Sequence, residues 1–120
     1  IGEVRRVRAP SVFLELGYHD NPDDAAWVKN NLDAIARSIV LSLTEYFGLP
    51  FLEPQAPRPA VVDVSWGYLN IRDKPDTRSA VIARAYDGAR LTVLNQWEGW
   101  YVVRFDSVVG WASGDFITLL

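Results

Sequence analysis

The chain has 120 residues, 49% of them hydrophobic and 22% charged, with a formal net charge of -3. That is ordinary for one small globular domain or two very small ones, and it leaves no electrostatic footprint for nucleic acid or an anionic membrane surface, so neither is expected as a partner. Cysteine is absent and histidine occurs once, which excludes a disulfide framework, a thiol nucleophile and the common closed zinc sites within this chain alone.

No apolar run is long enough to span a bilayer. The chain begins with Ile1 and carries no signal-peptide pattern, and its N-terminus is expected to be artificial or processed. Arg5, Arg6 and Arg8 surround Val4 and Val7, a pattern read as an approach loop or edge segment. Pro10 then suits a strand start, where a missing N–H is tolerated. Val12, Phe13, Leu14 and Leu16 form a short apolar run with little alternation, which predicts a strand covered on both faces. Glu15 interrupts that run near its carboxyl end. A lone carboxylate there is costly unless paired, metal-linked or at a cleft, and in open parallel sheets the cleft lies just beyond the strands' carboxyl ends. On residue type alone, a structural carboxylate paired to an Arg or a backbone amide stands ahead of a catalytic one.

Gly17 allows the chain to turn. Asn21-Pro22-Asp23-Asp24 is a helix start, with Asn21 as cap, Pro22 at the first helical position and two carboxylates at the positive helix end. Asn31 is placed to recap a second helix. From there Leu32, Ile35, Ala36, Ile39, Leu43 and Phe47 recur on one helical face. Gly48 and Pro50 end it. One strand and two helices cannot bury their own apolar faces, so residues 1–52 read as the tail end of a larger α/β domain, expected to be unstable alone or to self-associate through the incomplete part.

Residues 53–60 are Pro-rich and polar and read as a semi-rigid extended linker. The period then changes. Val62 with Val64, Leu69 with Ile71, Leu91 with Val93, and Tyr101 to Val103 suggest short strands. Turn signals separate them at Lys74-Pro75-Asp76, Asp87-Gly88, Glu98-Gly99 and Ser113-Gly114-Asp115. Val81 and Ile82 favour a further strand over a helix. Residues 61–120 therefore predict a small all-β barrel. The whole is α+β in two pieces: a strand–helix end of an α/β domain, then the barrel.

Two resemblances follow from particular residues. Pro10-Ser11-Val12-Phe13-Leu14-Glu15-Leu16-Gly17-Tyr18-His19-Asp20-Asn21, then Asp24, Ile35-Ala36-Arg37 and Tyr46-Phe47, resemble the C-terminal end of zinc-dependent N-acetylmuramoyl-L-alanine amidases of the amidase-3 type. Leu69-Asn70-Ile71-Arg72 with Pro75, Val81-Ile82, Gly88, Val93, Gly99-Trp100-Tyr101-Val102-Val103, Gly110-Trp111 and Phe116-Ile117 resemble a bacterial SH3 domain. The second set is the more specific. Such domains commonly follow cell-wall hydrolases, so each resemblance strengthens the other.

The amidase resemblance implies a bacterial, secreted, cell wall-associated hydrolase or autolysin that cleaves the amide between the lactyl group of N-acetylmuramic acid and L-alanine. Its SH3 module would bind or target peptidoglycan. The resemblance places Glu15 at the family's catalytic Glu, where a carboxylate beside zinc-bound water takes a proton and passes it to the leaving amine; this reverses the ranking from residue type alone. The cofactor implied is zinc in the intact enzyme. The family's ligands, two His and a Glu, lie upstream, so no zinc is expected on this chain and the chain alone is expected to be inactive. His19 is a candidate to line the cleft and touch substrate, weighed against a turn histidine bonded to a backbone carbonyl. In the barrel, Trp100, Tyr101 and Trp111 are expected in the core, and Trp66, Tyr68 and Trp97 as an exposed substrate-binding shelf. Asp73, Asp76 and Glu98 nearby would suit amine-bearing stem peptides or cross-bridges. Arg72 is expected to make a structural hydrogen bond. The alternative is a non-catalytic wall-binding or purely structural SH3 module carrying a degenerate amidase remnant.

Overall fold

The computed structural model describes residues 2–120, and Ile1 lies outside them. The chain divides into two compact units between Val40 and Leu41. The first contains helix α1 (Gly2–Arg6), helix α2 (Pro22–Asn30) and the start of helix α3 (Leu32–Phe47). The second contains the end of α3 and all the strands: β1 (Arg58–Val62), β2 (Tyr68–Arg72), β3 (Val81–Tyr86), β4 (Arg90–Trp97), β5 (Trp100–Phe105), β6 (Val108–Ser113) and β7 (Ile117–Leu119). Among the described residues no helix is long and apolar enough to cross a membrane.

The helix signals act locally, and they stand where the sequence puts them. Asn21 caps α2, its Oδ1 accepting from the backbone N–H of Asp23 at 2.9 Å and of Asp24 at 3.2 Å. Such a cap satisfies donors that the first helical turn leaves unpaired. At the other end, Gly48 takes a φ of +64°. Its N–H reaches the Glu45 carbonyl at 3.2 Å, and the Leu49 N–H reaches Thr44 at 2.8 Å. This crossed pair closes α3 as a Schellman motif.

The expected strand before α2 does not form. Residues 10–18 carry no strand, and Val12 is 73% exposed, with Phe13, Leu14, Leu16 and Glu15 exposed as well. A strand is made by its ladder partners, and all seven strands lie between residues 58 and 119. The basic segment expected as a loop is instead the five-residue α1, in keeping with the good helix-forming tendency of Arg.

The seven strands form one antiparallel sheet in the order β3-β2-β6-β5-β4-β1-β7. Side chains alternate across it: in β2, Leu69 and Ile71 point inward while Tyr68, Asn70 and Arg72 face out. Every strand contributes to one apolar core, in which Val62, Ile71, Val93 and Val103 are the largest fully buried side chains. A sheet that shares one core among all its strands curls into a small barrel. Glu98-Gly99, with φ of +45° and +81°, makes the two-residue β4–β5 turn, the left-handed pair that a tight hairpin requires. The β5–β6 turn at Asp106-Ser107 escapes the sequence signals because a non-glycine, Asp106, takes the positive φ of +51°.

The segment before the barrel is anchored. Residues 49–52 are half-buried, and the Asn95 side-chain amide donates to the Glu53 carbonyl at 2.7 Å. Asn95 is buried at an irregularity of the β4–β5 ladder, and its Oδ1 accepts from the Gln96 N–H at 2.9 Å.

Gly110 in β6 is where backbones approach closest. A Cβ there would meet the Arg72 carbonyl at 2.7 Å and Ile71 Cγ2 at 2.7 Å. Gly110→Ala is expected to lower stability by about 1–3 kcal/mol through overpacking, read as a fall in the urea midpoint. An unchanged midpoint would show that the β2–β6 contact is loose.

Candidate functional site

A groove of about 630 Å³ lies on the barrel. Four aromatic residues wall it: Trp66, Tyr68, Trp100 and Phe116. Trp66 precedes β2 on the β1–β2 connection and is 89% exposed. Gly67, at a φ of +77°, turns the chain into the strand. Tyr68 opens β2 on its outward face, so it cannot join the core without shifting Leu69 and Ile71 out of it.

Trp100 and Phe116 come together through a backbone contact. The Gly114 N–H donates to the Gly99 carbonyl at 2.8 Å. A Cβ on Gly114 would stand 3.0 Å from that same oxygen. The absence of a side chain there lets the 3-10 turn Gly114–Phe116 sit against the β4–β5 turn and sets Phe116 beside Trp100.

Two of the three expected shelf residues, Trp66 and Tyr68, line the groove; Trp97 does not. Its place is taken by Trp100, its cross-strand partner, which the sequence reading put in the core. Trp111 is buried at 6% exposure, and Tyr101 packs half-buried against the core, both as expected. The groove lining contains no carboxylate. Asp73, Asp76 and Glu98 are not among the lining residues, although Asp73 and Asp76 directly follow or precede Arg72 and Thr77, which are.

The polar residues of the groove are held by the loop after β2. Arg72 donates from Nη1 to the Ser79 carbonyl at 2.7 Å, the structural role expected of it. Ser79 Oγ in turn donates to the carbonyls of Asp76 at 2.6 Å and Lys74 at 2.9 Å. Asn70 also lines the groove, and its Oδ1 is buried without a partner among the described residues. Beside the groove Tyr68 meets Tyr86 edge-on, with ring centroids 6.2 Å apart. The Arg84 guanidinium lies 4.6 Å from the Tyr68 centroid.

In the first unit the resemblance motif folds as a self-supporting turn. The Asp24 carboxylate accepts from the Tyr18 N–H at 2.9 Å, and the Asn21 N–H reaches the Tyr18 carbonyl at 3.2 Å. Gly17, with a φ of +151°, lies so close that a Cβ would meet Asp24 Cβ at 3.2 Å. His19 is exposed on this turn and lines a shallow depression with Leu16, Asp24 and Lys29. Glu15 is exposed and does not line it. The donor set does not fit zinc. His19 is the single histidine, and among the described residues no group of three or more His, Cys, Asp or Glu could hold a metal ion.

Residues 67–118 match the bacterial SH3 domain. The match starts one residue before β2 and ends within β7, so it takes in Tyr68, Arg72, Arg84, Trp100 and Phe116 and leaves Trp66 just outside. No curated protein matches the chain. The matched segment thus supplies most of the groove, while Trp66 is contributed by the connection leading into it.

The loop bearing Thr77, on the groove's edge, is set by Asp76. The Arg78 N–H donates to the Asp76 carboxylate at 2.8 Å and the Arg78 guanidinium lies 3.5 Å from it. The backbone bond first, and the side chain after it, hold the Asp76 carboxyl below its ordinary pKa. A lowered folded-state pKa gives stability that is present above the ordinary carboxylate range and lost as pH falls through the folded value. Asp76→Asn is expected to lower the urea midpoint slightly at neutral pH, with the gap to wild type closing in acid. A gap that persists in acid would assign the effect to something other than the charge.

Proposed function

We propose that the barrel is a cell-wall-binding module that holds its chain on peptidoglycan through the groove of Trp66, Tyr68, Trp100 and Phe116. The observation that carries this reading is Trp66. An indole left 89% exposed next to three further aromatic residues gives up the burial that would otherwise stabilise it, by about 1.5–3 kcal/mol for a large apolar side chain. Flat aromatic surfaces rimmed by a few polar groups suit sugar faces and peptide backbones. The match to the bacterial SH3 domain supports the same reading. The benefit of such a module is effective concentration: a chain tethered to a polymer meets its next substrate unit without leaving it. The setting is the cell wall, outside the membrane.

Because Trp66 is exposed and lines the groove while Trp97 does not line it, the two separate binding from folding. Trp66→Ala is expected to weaken retention on purified cell walls by about 5- to 30-fold, as for an interface anchor, with an unchanged thermal midpoint. Trp97→Ala is expected to leave retention unaltered. The reverse pattern would move the binding surface to the β4–β5 turn.

A finer reading concerns residues 1–52, proposed as the C-terminal end of an N-acetylmuramoyl-L-alanine amidase domain with Glu15 as its acid–base carboxylate. What favours it, beyond the resemblance, is that neither α2 nor α3 buries a single residue, although α3 carries Leu32, Ile39, Val40, Leu41, Leu43 and Phe47. An apolar helical face of this width is made to be covered. In this reading the chain by itself lacks the zinc ligands, so it should release no stem peptide from murein even with added zinc. Release of L-alanine-terminated stem peptide would overturn it.

A further inference from the structure

The outward face of the β2–β3 hairpin continues the groove. Tyr68 lies opposite Tyr86 and Asn70 opposite Arg84 in the ladder, and directly opposed residues share a face. Arg84 is exposed. Its guanidinium stacks on Tyr68, a wall of the groove. Among the described residues it pairs with no carboxylate and makes no hydrogen bond. The contrast is Arg58, which also lies over an aromatic ring, Tyr101, but spends a donor on Gln96 at 3.2 Å. Stacking fixes the plane of a guanidinium while leaving its edge donors available.

The local charge points the same way. The chain is acidic overall, at -3, yet the groove lining has no carboxylate and its single charged residue is Arg72. Arg72 holds one of its donors on the Ser79 carbonyl, whereas the Arg84 guanidinium holds none on the protein among the described residues. A planar guanidinium edge takes a carboxylate through two parallel N–H···O bonds. A neutral glycan strand or an amine-bearing cross-bridge offers it single neutral acceptors but no charged bidentate one.

We infer that Arg84, stacked on Tyr68 at the rim of the groove, recognises a free carboxylate on the peptide portion of the wall. This rests on the wall-binding reading and names its ligand chemistry: a peptide with an ionised carboxyl group, its body lying along Trp66, Tyr68 and Trp100. Amidation of that carboxyl would remove the recognition.

The test uses the full chain and two soluble muramyl peptides that differ only in whether their carboxyl groups are free or amidated. Wild type is expected to bind the free acid about tenfold tighter, the difference expected of a charge-assisted hydrogen-bonded pair, and to lose part of that preference as salt is raised. Arg84→Gln is expected to bring the free acid down to the affinity of the amide without moving the thermal midpoint. Arg84→Lys is expected to restore the charge but only part of the preference. Equal binding of both peptides by wild type, or binding of neither, with wall retention intact, overturns the carboxylate reading and leaves the wall-binding one standing. Loss of wall retention by wild type itself overturns both.

Discussion

Ile71, Val62, Val93 and Val103 are shut off from solvent at the centre of the barrel, and their burial sets which side chains of the strands face outward. Strands this short have no freedom of register: a slip of one residue in β2 would bring Tyr68, Asn70 and Arg72 inward and expel Leu69 and Ile71. The same constraint that builds the core therefore pushes a tyrosine, an amide and a guanidinium onto one outer face. Gly110 tightens it, because only a residue without a side chain lets β6 lie against the Arg72 carbonyl.

The groove is assembled on that outer face from pieces far apart in sequence, and two of its groups are left without protein partners. Trp66 stays in solvent, and Asn70 Oδ1 has no protein donor among the described residues. Groups of this kind concentrate at binding sites, where the local rules of folding give way to a ligand. The compensations are modest and local: the Gly114 to Gly99 bond and the Arg72 to Ser79 bond.

The first unit follows a different logic. Its turn and the start of α2 are complete in themselves, with Asn21, Asp24 and Gly17 each meeting a backbone need within a few residues. Its apolar side chains are not buried. Local capping can settle where a helix starts and stops, but it supplies only about 1 kcal/mol per cap; helical stability in proteins comes mainly from packing of the apolar face. The Val12–Leu16 run shows the same division, since its composition suits a covered strand while the ladder that would make it one is absent among the described residues.

By itself the sequence determined what depends on near neighbours: the Asn21 cap, the Gly48 stop, the Glu98-Gly99 turn and the alternation of β2 and β4. These are set by backbone dihedrals and side-chain period within a few residues, and they sufficed to predict two helices and a small barrel. The bacterial SH3 likeness was legible in the same way, because its glycines and tryptophans mark turns and core. Only the tertiary structure decided which tryptophans face the groove. Trp97 and Trp100 flank one tight turn and look equivalent along the chain. What separates them is the groove, whose lining takes in Trp100 with Phe116 and leaves out Trp97. The charge of the site was hidden for the same reason, since Arg84 reaches Tyr68 across the ladder while Asp73, Asp76 and Glu98, nearer in sequence to the groove residues, are not among those that line it.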